Sequence, residues 1–261
     1  FLTRSWSDRA IGVAAVVLLL QPVEWYHYIA NLINPAHRLP DLKVAEMYGE
    51  VADYTKAGNW RDFLLGNVTL GQKASFLWAV NAGRFVQTAG LFLLGFFIGR
   101  KQLFMTNEKN IVFWTKVLII SAISFAPLYT LKELVMENDP IVQQTVGTAF
   151  DMWQKLAFTL VLVASFILLY QHKNFSKAVA GLRFYGKMSL TNYISQSIIG
   201  AFIYFPIGLN LAPYCGYTLS LSVGFLIFLL QLKFCKWWLA RHKQGPLEYI
   251  WHKCTWIGTG K

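Results

Sequence analysis

Ionisable side chains inside apolar stretches are the residues of this sequence best suited to chemistry. Glu24 and His27 lie in the first long apolar stretch, Arg84 in the second and Lys155 in the fourth. Such groups are costly at membrane depth, so they usually face a cavity or each other. We therefore expect an outer-leaflet polar pocket in which Arg84 and Lys155 hold an anionic group. Glu24 serves there as their partner or as a general base, and His27 joins it from one helical turn away.

Depth along the helices supports this grouping. At 1.5 Å per residue, Glu24 and Arg84 both lie roughly 21–23 Å from the predicted cytoplasmic boundary, and Lys155 lies at a similar height. The three residues are therefore level with one another. A structural alternative stays open, in which the long Arg84 and Lys155 side chains extend to the headgroups and Glu24 only neutralises Arg84.

A second polar group follows one face of the fifth apolar stretch. Ser189, Asn192 and Gln196 are spaced i, i+3 and i+7, which places them on the same side of a helix. Gln231, near the inner end of the sixth stretch, lies at a comparable depth. Amides at this depth bind either neighbouring helices, at about 0.6–2 kcal/mol per hydrogen bond, or a polar ligand. Both interpretations stay open, interhelical hydrogen bonds and a donor pocket on the cytoplasmic side.

Six long apolar stretches must position these side chains. Their approximate bounds are 10–30, 80–99, 111–131, 152–171, 188–212 and 217–232. A bilayer core about 30 Å thick needs ~20 helical residues to cross it, and each stretch is long enough or nearly so. The chain is also 55% hydrophobic and only 14% charged. We therefore predict an all-α fold, a polytopic transmembrane bundle of about six spanning helices that forms a single domain over residues 1–261.

Two connecting segments carry helices that we expect at the membrane surface. The outer loop, 31–75, has apolar residues at helical spacing from Val44 to Tyr54, which predicts an amphipathic helix. A second short helix is expected from Asn59. After the sixth stretch, a Gly-Pro pair ends the helix. The proline suits the first turn of a new helix, so we predict a cytoplasmic interfacial helix over 246–258.

Small side chains give two further expectations about packing. Gly95 and Gly99 form a small-xxx-small pair, which predicts the close approach of another helix. Thr191 and Ser195 lie inside the fifth stretch, where we expect their hydroxyls to donate to carbonyls of their own helix.

The Lys and Arg residues indicate the orientation. The chain carries 24 Lys and Arg against 13 Asp and Glu. With the N-terminus in the cytoplasm, the cytoplasmic segments hold most of the basic residues and only three acids, Asp8, Glu108 and Glu248. Basic residues accumulate in cytoplasmic loops, so we predict that both termini are cytoplasmic. The excess charge then marks a basic rim for anionic lipid headgroups, and it does not indicate nucleic acid.

Motifs for soluble-type chemistry are missing from the sequence. It has no Walker loop, no dinucleotide glycine fingerprint and no nucleophile elbow. Cys215, Cys235 and Cys254 show no metal-ligand spacing and are predicted to be free thiols. No cofactor is evident, although the basic rim suits a phosphorylated donor such as acyl-CoA, and a lipid-linked donor is the other option.

Two C-terminal motifs carry a resemblance to known proteins. The polar run 186–197 enters the fifth stretch directly, and Gly-Pro-Leu-Glu-Tyr-Ile-Trp follows at 245–251. Together with 91–100 and 4–9, these motifs resemble the YeiB-like bacterial inner-membrane proteins, a family known as domain of unknown function 418. The resemblance implies a multi-pass protein of the inner membrane with several more spans before Phe1. We therefore expect this chain to be the C-terminal portion of such a protein.

The resemblance also bears on function. The YeiB-like family is distantly similar to transmembrane acyltransferases, which implies a membrane-embedded group (acyl) transferase. Those enzymes rely on a His and basic residues in N-terminal helices to which nothing in this sequence corresponds, so no catalytic His is carried over. Two alternatives stay open. One is a small-molecule transporter or exporter, although no inverted repeat is visible. The other is a non-catalytic assembly partner that works with the missing N-terminal helices or another membrane chain.

Overall fold

The computed structural model describes residues 3, 5–137 and 139–257, and all regular structure in these ranges is helical. Two π-helical turns, Asn67–Gly71 and Gln143–Gly147, interrupt the α-helices. The α-helices are α1 (Asp8–Leu19), α2 (Pro22–Ile33), α3 (Val44–Lys56), α4 (Trp60–Gly66), α5 (Gln72–Asn81), α6 (Arg84–Arg100), α7 (Glu108–Met136), α8 (Pro140–Val142), α9 (Thr148–Tyr170), α10 (Lys173–Val179), α11 (Leu182–Lys187), α12 (Ser189–Tyr204), α13 (Tyr217–Leu239) and α14 (Pro246–Thr255). The all-α prediction is therefore confirmed.

Three to five helices in the described ranges are long and apolar enough to cross a membrane. Three qualify alone: α7, the run Pro140–Tyr170 and α13. Two more qualify if each of two bent pairs is a single span, namely α1 with α2 and Trp60–Asn81 with α6. The predicted count of six is not reached, because α12 has 16 residues and is shorter than the ~20 that a span needs.

The apolar side chains of the long helices are largely uncovered by protein. In α7, for example, Ile119, Ile120 and Ile123 have exposed fractions of 52%, 64% and 69%. Exposure of so much apolar surface is unfavourable in water, whereas contact of the same surface with lipid tails carries no such cost. The chain is therefore a membrane protein, and the lipid bilayer is its surroundings.

The chain forms two compact units. The first comprises residues 1–44 and 73–173, and the second comprises 45–72 and 174–261. In the first unit α1 packs against α6 and α7 packs against α9, while the π-helical turn Gln143–Gly147 contacts α2. In the second unit α11 packs against α13, and α12 packs against α14. The single domain over 1–261 stays a prediction.

The second unit contains the short helices that the sequence predicts. Helix α3 begins at Val44, and α4 follows the N-cap Asn59, whose side chain accepts a hydrogen bond from the Arg61 N–H. Helix α13 runs on to Leu239, and α14 begins at Pro246. The predicted interfacial helix 246–258 ends earlier, at Thr255, and its last residue lies outside the described ranges.

Close helix packing in the first unit depends on a different glycine from the expected pair. A Cβ placed on Gly90 of α6 would lie 2.9 Å from Leu19 Cγ and 3.2 Å from Leu18 Cβ, both on α1. Gly90 therefore lets the two helices approach. The packing expected at Gly95 and Gly99 is not found, since no described neighbour lies within 4 Å of a Cβ at either position.

The first broken helix lies at Gln21, between α1 and α2. Gln21 has φ 57° and ψ 59°, a left-handed conformation, and the helix axes on its two sides differ by 48°. Pro22 follows as the first residue of α2, where it has no N–H to donate to the preceding turn. The break leaves carbonyls of α1 without helical partners, and the Trp153 indole N–H binds one of them, the Leu19 carbonyl, at 2.8 Å.

A second break separates α5 from α6. Gly83 precedes α6 with φ +60°, a left-handed conformation in which glycine is not strained. The axis of the helical run Trp60–Asn81 differs from that of α6 by 76°. Both breaks fall inside stretches whose composition is otherwise that of membrane spans.

Substitution of Gly90 tests the packing of α1 on α6. We expect Gly90→Val to lower the free energy of unfolding by about 1–3 kcal/mol, because the added methyl groups overlap Leu18 and Leu19. Gly95→Val is the matched control, since open space surrounds that position. The measurement is thermal unfolding in detergent, and equal melting temperatures for the two variants would contradict the packing described.

Candidate functional site

One cavity in the first unit lies beside the break at Gly83 and the π-helical turn Gln143–Gly147. Its volume is about 250 Å³. Helix α2, the segment after it, the break at Gly83 and the π-helical turn all contribute to its wall. The lining residues are Val23, Glu24, His27, Leu39, Pro40, Leu42, Val80, Asn81, Gly83, Phe85, Val86 and Gln144.

Glu24 is the acidic side chain of this cavity. It is only 8% exposed, and its carboxylate lies directly against Gly83, where a Cβ would overlap Oε1. Gly83 is therefore required both by its left-handed backbone and by the space that Glu24 occupies. No residue in the described ranges donates a hydrogen bond to the Glu24 carboxylate or forms an ion pair with it.

The Gln21 side chain is the second unusual polar group. Gln21 is wholly buried, and neither Oε1 nor Nε2 has a hydrogen-bond partner among the described residues. Its Oε1 lies 3.5 Å from the position of a Cβ on Gly83, so Gln21 and Glu24 approach the same point. An unsatisfied buried amide costs about 1–3 kcal/mol. Such groups, together with left-handed non-glycine residues, cluster at functional sites.

Arg84 does not line the cavity. Its Nη1 donates to Gln87 Oε1 at 3.0 Å, and its guanidinium lies over the Trp78 ring, 5.6 Å from the centroid. Its Nε is buried without a described hydrogen-bond partner. Glu24 contacts Gly83, the residue before Arg84, which agrees with the equal depth calculated for Glu24 and Arg84. The Glu24 and Arg84 side chains nevertheless do not form an ion pair.

Lys155 also lies outside the cavity wall. It binds the Asp151 carboxylate at 2.5 Å, four residues earlier on α9, and Lys132 of α7 binds the same carboxylate at 3.2 Å. Two cations thus share one acid. The wall described here therefore carries the acid Glu24 and neither predicted cation, which favours a cationic ligand or a hydrogen-bond donor over the anion expected from sequence.

His27 connects the cavity to the segment after α2. Its Nδ1 lies 3.1 Å from Nε2 of His37, and the rings are stacked with centroids 5.4 Å apart. One nitrogen must donate and the other accept, so a single hydrogen lies between them. The His37 carbonyl accepts a hydrogen bond from the Asn31 amide at 3.1 Å, which fixes the segment on α2.

Sequence reasoning missed several residues of this site. Gln21, His37, Gly83 and Gln144 were not predicted, and two of them, Gln21 and Gly83, had a usable signal. Gln-Pro inside an apolar stretch marks a break, and a Gly directly before Arg84 marks another. His37 lies in a loop, where no periodicity indicates what it contacts.

Most of the polar side chains predicted on the fifth and sixth stretches, called the inner polar group from here on, come together in the second unit. Gln196 Nε2 donates to Gln231 Oε1 at 2.9 Å, and Gln231 Nε2 donates to Ser195 Oγ at 2.9 Å and to the Asn192 carbonyl at 3.2 Å. Asn192 Nδ2 in turn lies 3.3 Å from Cys235 Sγ. These bonds join α12 to α13 and occupy the amide nitrogens of Asn192, Gln196 and Gln231, which favours the interhelical interpretation over a donor pocket.

Tyr185 completes this inner group, and sequence reasoning missed it. Its hydroxyl accepts from Gln196 Nε2 at 2.6 Å and donates to Gln231 Oε1 at 3.1 Å, while its carbonyl accepts from Asn192 Nδ2 at 3.1 Å. Burial raises the pKa of Tyr185, which keeps the donating proton on the hydroxyl. Ser189 is exposed as the first residue of α12 and takes no part.

The Ser195 hydroxyl donates within its own helix, whereas the Thr191 hydroxyl donates to another helix. Ser195 Oγ donates to the Asn192 carbonyl of its own helix at 3.1 Å, as expected. The expectation for Thr191 is wrong, because its hydroxyl donates to Glu248 Oε2 at 2.5 Å while its N–H donates to Glu248 Oε1 at 3.0 Å. Thr191 Oγ1 also accepts from the Leu247 N–H at 3.2 Å. This contact joins the two C-terminal motifs, and a Cβ on Gly245 would lie 2.9 Å from Thr191 Oγ1.

The Glu248 carboxylate is held ionised by this contact. Burial raises the pKa of the group, but the hydrogen bonds from the Thr191 hydroxyl and from backbone N–H groups outweigh burial. The pKa of Glu248 therefore lies below its ordinary value.

Comparison with known proteins identifies the family. The family model described as "Protein of unknown function (DUF418)" matches residues 98–258, more than half of the chain. This chain belongs to the DUF418 family. The match confirms the YeiB-like resemblance, and it includes the whole inner polar group but, of the residues that line the Glu24 cavity, only Gln144. The distant similarity to acyltransferases stays an expectation.

Two relatives of this DUF418 chain come from bacilli. The uncharacterised protein YxaH of Bacillus subtilis (strain 168) is 25% identical over 95 residues, which cover 36% of this chain and 24% of YxaH. An uncharacterised 39.9 kDa protein in the amylase 3′ region of Bacillus acidopullulyticus is 37% identical over 91 residues, which cover 34% of this chain and 25% of the relative. The chain thus spans about a quarter of the curated relatives it matches. No solved structure matches it.

Acid titration tests the Glu248 contact. A carboxylate whose pKa is lower in the folded state adds stability that is fully present above the unfolded pKa and is lost as pH falls through the folded pKa. We expect the melting temperature in detergent to fall below about pH 4.5, and Glu248→Gln to lack this part of the fall. At pH 7 the variant loses about 1 kcal/mol, a low figure because the carboxylate is only partly buried.

Glu50→Gln is the control for this titration. Glu50 is an exposed acid of α3 in the same unit. We expect the melting temperature of Glu50→Gln to depend on pH in the same way as that of the wild-type protein. Identical acid curves for Glu248→Gln and wild type would show that the contact with Thr191 does not stabilise the folded state.

Proposed function

We propose that this chain is part of a membrane-embedded group transferase that binds a small polar acceptor beside Glu24. One observation carries the proposal: the Glu24 carboxylate lines a cavity and is bound by no group of the described chain. A general base must lie within hydrogen-bond reach of the proton that it removes, and a carboxylate without a neighbouring cation is the stronger base. His27 lies one turn further along α2 on the same wall.

The chemistry of the wall defines the acceptor. Glu24, Asn81 and Gln144 offer carboxylate and amide oxygens, and the rest of the wall is mainly apolar. Hydroxyl or amino groups suit such a wall, whereas phosphate would face an uncompensated acid. A volume of about 250 Å³ is smaller than the ~300–1,000 Å³ of most ligand pockets, so the cavity suits a small acceptor or one end of a larger one.

The reaction is acyl transfer from a donor of the acyl-CoA or lipid-linked class. The acceptor hydroxyl oxygen attacks the acyl carbonyl carbon while its proton passes to Glu24. A new carbon–oxygen bond forms, the bond from the acyl carbon to the donor carrier breaks, and the carrier leaves with the electron pair. The proton released by the acceptor finally protonates the carrier, so one ester and one free carrier result.

His27 and His37 suit the movement of this proton. An imidazole accepts a proton at one ring nitrogen and releases it at the other. Because His27 Nδ1 contacts His37 Nε2, a proton that arrives at His27 Nε2 from the cavity can leave through His37. We assign both residues as positioning and relay groups for Glu24.

Transport of a small molecule is the second candidate, and the broken helices favour it. Discontinuous helices that meet at one level form the substrate sites of many secondary transporters. Gln21 and Gly83 provide two such breaks next to the cavity. Either activity belongs to the whole protein, so N-terminal helices or another membrane chain complete the site in this proposal.

A transfer assay with labelled donors tests the proposal. The protein in nanodiscs is supplied with radiolabelled acyl-CoA of several chain lengths and a polar extract of bacterial envelope as acceptor. We expect a covalent acyl product, and Glu24→Gln lowers its rate 10²- to 10⁴-fold, the usual contribution of a general base. Glu108→Gln, an exposed acid of the same unit, leaves the rate unchanged. His37→Gln retains transfer but shifts its pH profile.

Two outcomes would contradict the transferase. Product formation by Glu24→Gln at the wild-type rate removes Glu24 as the base. Counterflow of a labelled polar solute in proteoliposomes, with no covalent product from any donor, replaces the transferase with the transporter.

A further inference from the structure

A second cavity, of about 690 Å³, lies in the second unit where α13 ends and α14 begins. Trp238, the connecting loop 241–246, Tyr249 and Ile250 line it. The loop is held in place, because the Trp238 indole N–H donates to the Gln244 carbonyl at 3.1 Å. The His242 ring stacks on Trp238 with centroids 4.0 Å apart. The wall of this cavity is therefore ordered by contacts within the loop itself.

The cationic groups of this wall have unused hydrogen-bond donors. Arg241 lies over the Trp237 ring, 5.0 Å from the centroid, and donates from Nη1 to the Trp237 carbonyl at 3.3 Å. A guanidinium has five N–H donors, so most of those on Arg241 are left for another acceptor. The exposed Lys243 ammonium forms no ion pair with any described acid. Together they present two positive charges to the cavity.

No carboxylate on the cavity wall offsets these charges. Glu248 is the sole acid among residues 171–261 of the sequence. Both of its oxygens accept hydrogen bonds from Thr191, and Glu248 is not part of the wall. The charge around the cavity is therefore positive, and an anion is the complementary ligand.

The surroundings of the cavity are those of a membrane interface. Helix α13, a candidate span, leads directly into it, and Trp237, Tyr249 and Ile250 beside the basic groups are exposed. Aromatic rings next to Lys and Arg are typical of the level at which headgroups meet acyl chains. A ligand with an anionic head and an apolar tail fits both parts of this surface.

We propose that this cavity, the 238–250 pocket, binds the phosphate of an anionic membrane phospholipid, with the acyl chains along α13 and α14. Arg241 binds phosphate oxygens through its planar fork of donors, and Lys243 adds a second positive charge. This inference is independent of the acyl-transfer proposal, because it rests on different residues in a different unit.

Photo-crosslinking tests the 238–250 pocket. The protein is placed in phosphatidylcholine nanodiscs that contain a few per cent of diazirine-labelled phosphatidylglycerol, and labelled peptides are mapped by mass spectrometry. We expect labelling of 238–250 by this probe to exceed labelling by the matched phosphatidylcholine probe several-fold. Arg241→Gln with Lys243→Gln lowers it about 10- to 30-fold, since each basic residue near an anionic surface is worth about fivefold.

The matched control removes the same charges elsewhere. Arg183→Gln with Lys187→Gln takes one Arg and one Lys from exposed positions of α11 in the same unit, and it leaves labelling of 238–250 unchanged. If both double variants lose the same amount of labelling, the loss follows from the net charge of the protein, and the proposed site is contradicted. Displacement of the probe by millimolar glycerol phosphate would also overturn it, because the ligand would then be a soluble phosphate compound.

Melting temperatures of both double variants accompany the assay. Loss of labelling in a variant that melts like the wild-type protein supports the site. If the Arg241 and Lys243 variant does not fold, Arg241→Lys is used instead. That variant keeps the charge but loses the fork, so we expect labelling about 3- to 10-fold weaker. Unchanged labelling would contradict phosphate recognition by Arg241.

Discussion

Backbone groups inside a bilayer have no water to bind, and the first unit depends on how this constraint is met. An unbroken helix satisfies them all, whereas a break leaves carbonyls and N–H groups open. At Gln21 the structure meets part of this demand with the Trp153 indole, which binds the Leu19 carbonyl. The Gln21 amide itself stays without a described partner, and Glu24 lies beside it. This unsatisfied break is the basis of the proposal that the interrupted geometry serves a ligand.

The two polar groups of the chain meet the same constraint in opposite ways. In the second unit every amide of the inner group is hydrogen-bonded, and Gln231 alone contacts several partners on α12. Such a group specifies which helices pack together and has little capacity left for a substrate. In the first unit Glu24 and Gln21 have capacity that the described chain does not use. This difference favours the Glu24 cavity over the inner polar group as the place of function.

Sequence reasoning predicted the helical class and the short helices from Val44, Asn59 and Pro246. It also grouped Asn192, Gln196 and Gln231, which the structure brings together, but it included Ser189 and missed Tyr185. The correct predictions follow from local rules, since helical spacing and caps are properties of neighbouring residues. It did not predict the ion pair between Lys155 and Asp151 of the same helix, although their spacing of four residues allows it. The Gln-Pro pair and the Gly before Arg84 signal the two breaks, but they do not reveal the left-handed backbone of Gln21, which is unusual for a non-glycine residue.

No described residue pairs with the Glu24 carboxyl group, which lines a largely apolar cavity, and its reaction with a hydrophobic carbodiimide measures both properties. Dicyclohexylcarbodiimide reacts with carboxyl groups that lie in apolar surroundings without an ion pair, and an acid bound by two cations is a poor target for it. Asp151 is the internal reference, since Lys132 and Lys155 both bind it. With labelling mapped by mass spectrometry near neutral pH, we expect Glu24 to be modified well before Asp151. Modification of Asp151 as fast as Glu24, or no modification of Glu24 at all, would contradict this expectation.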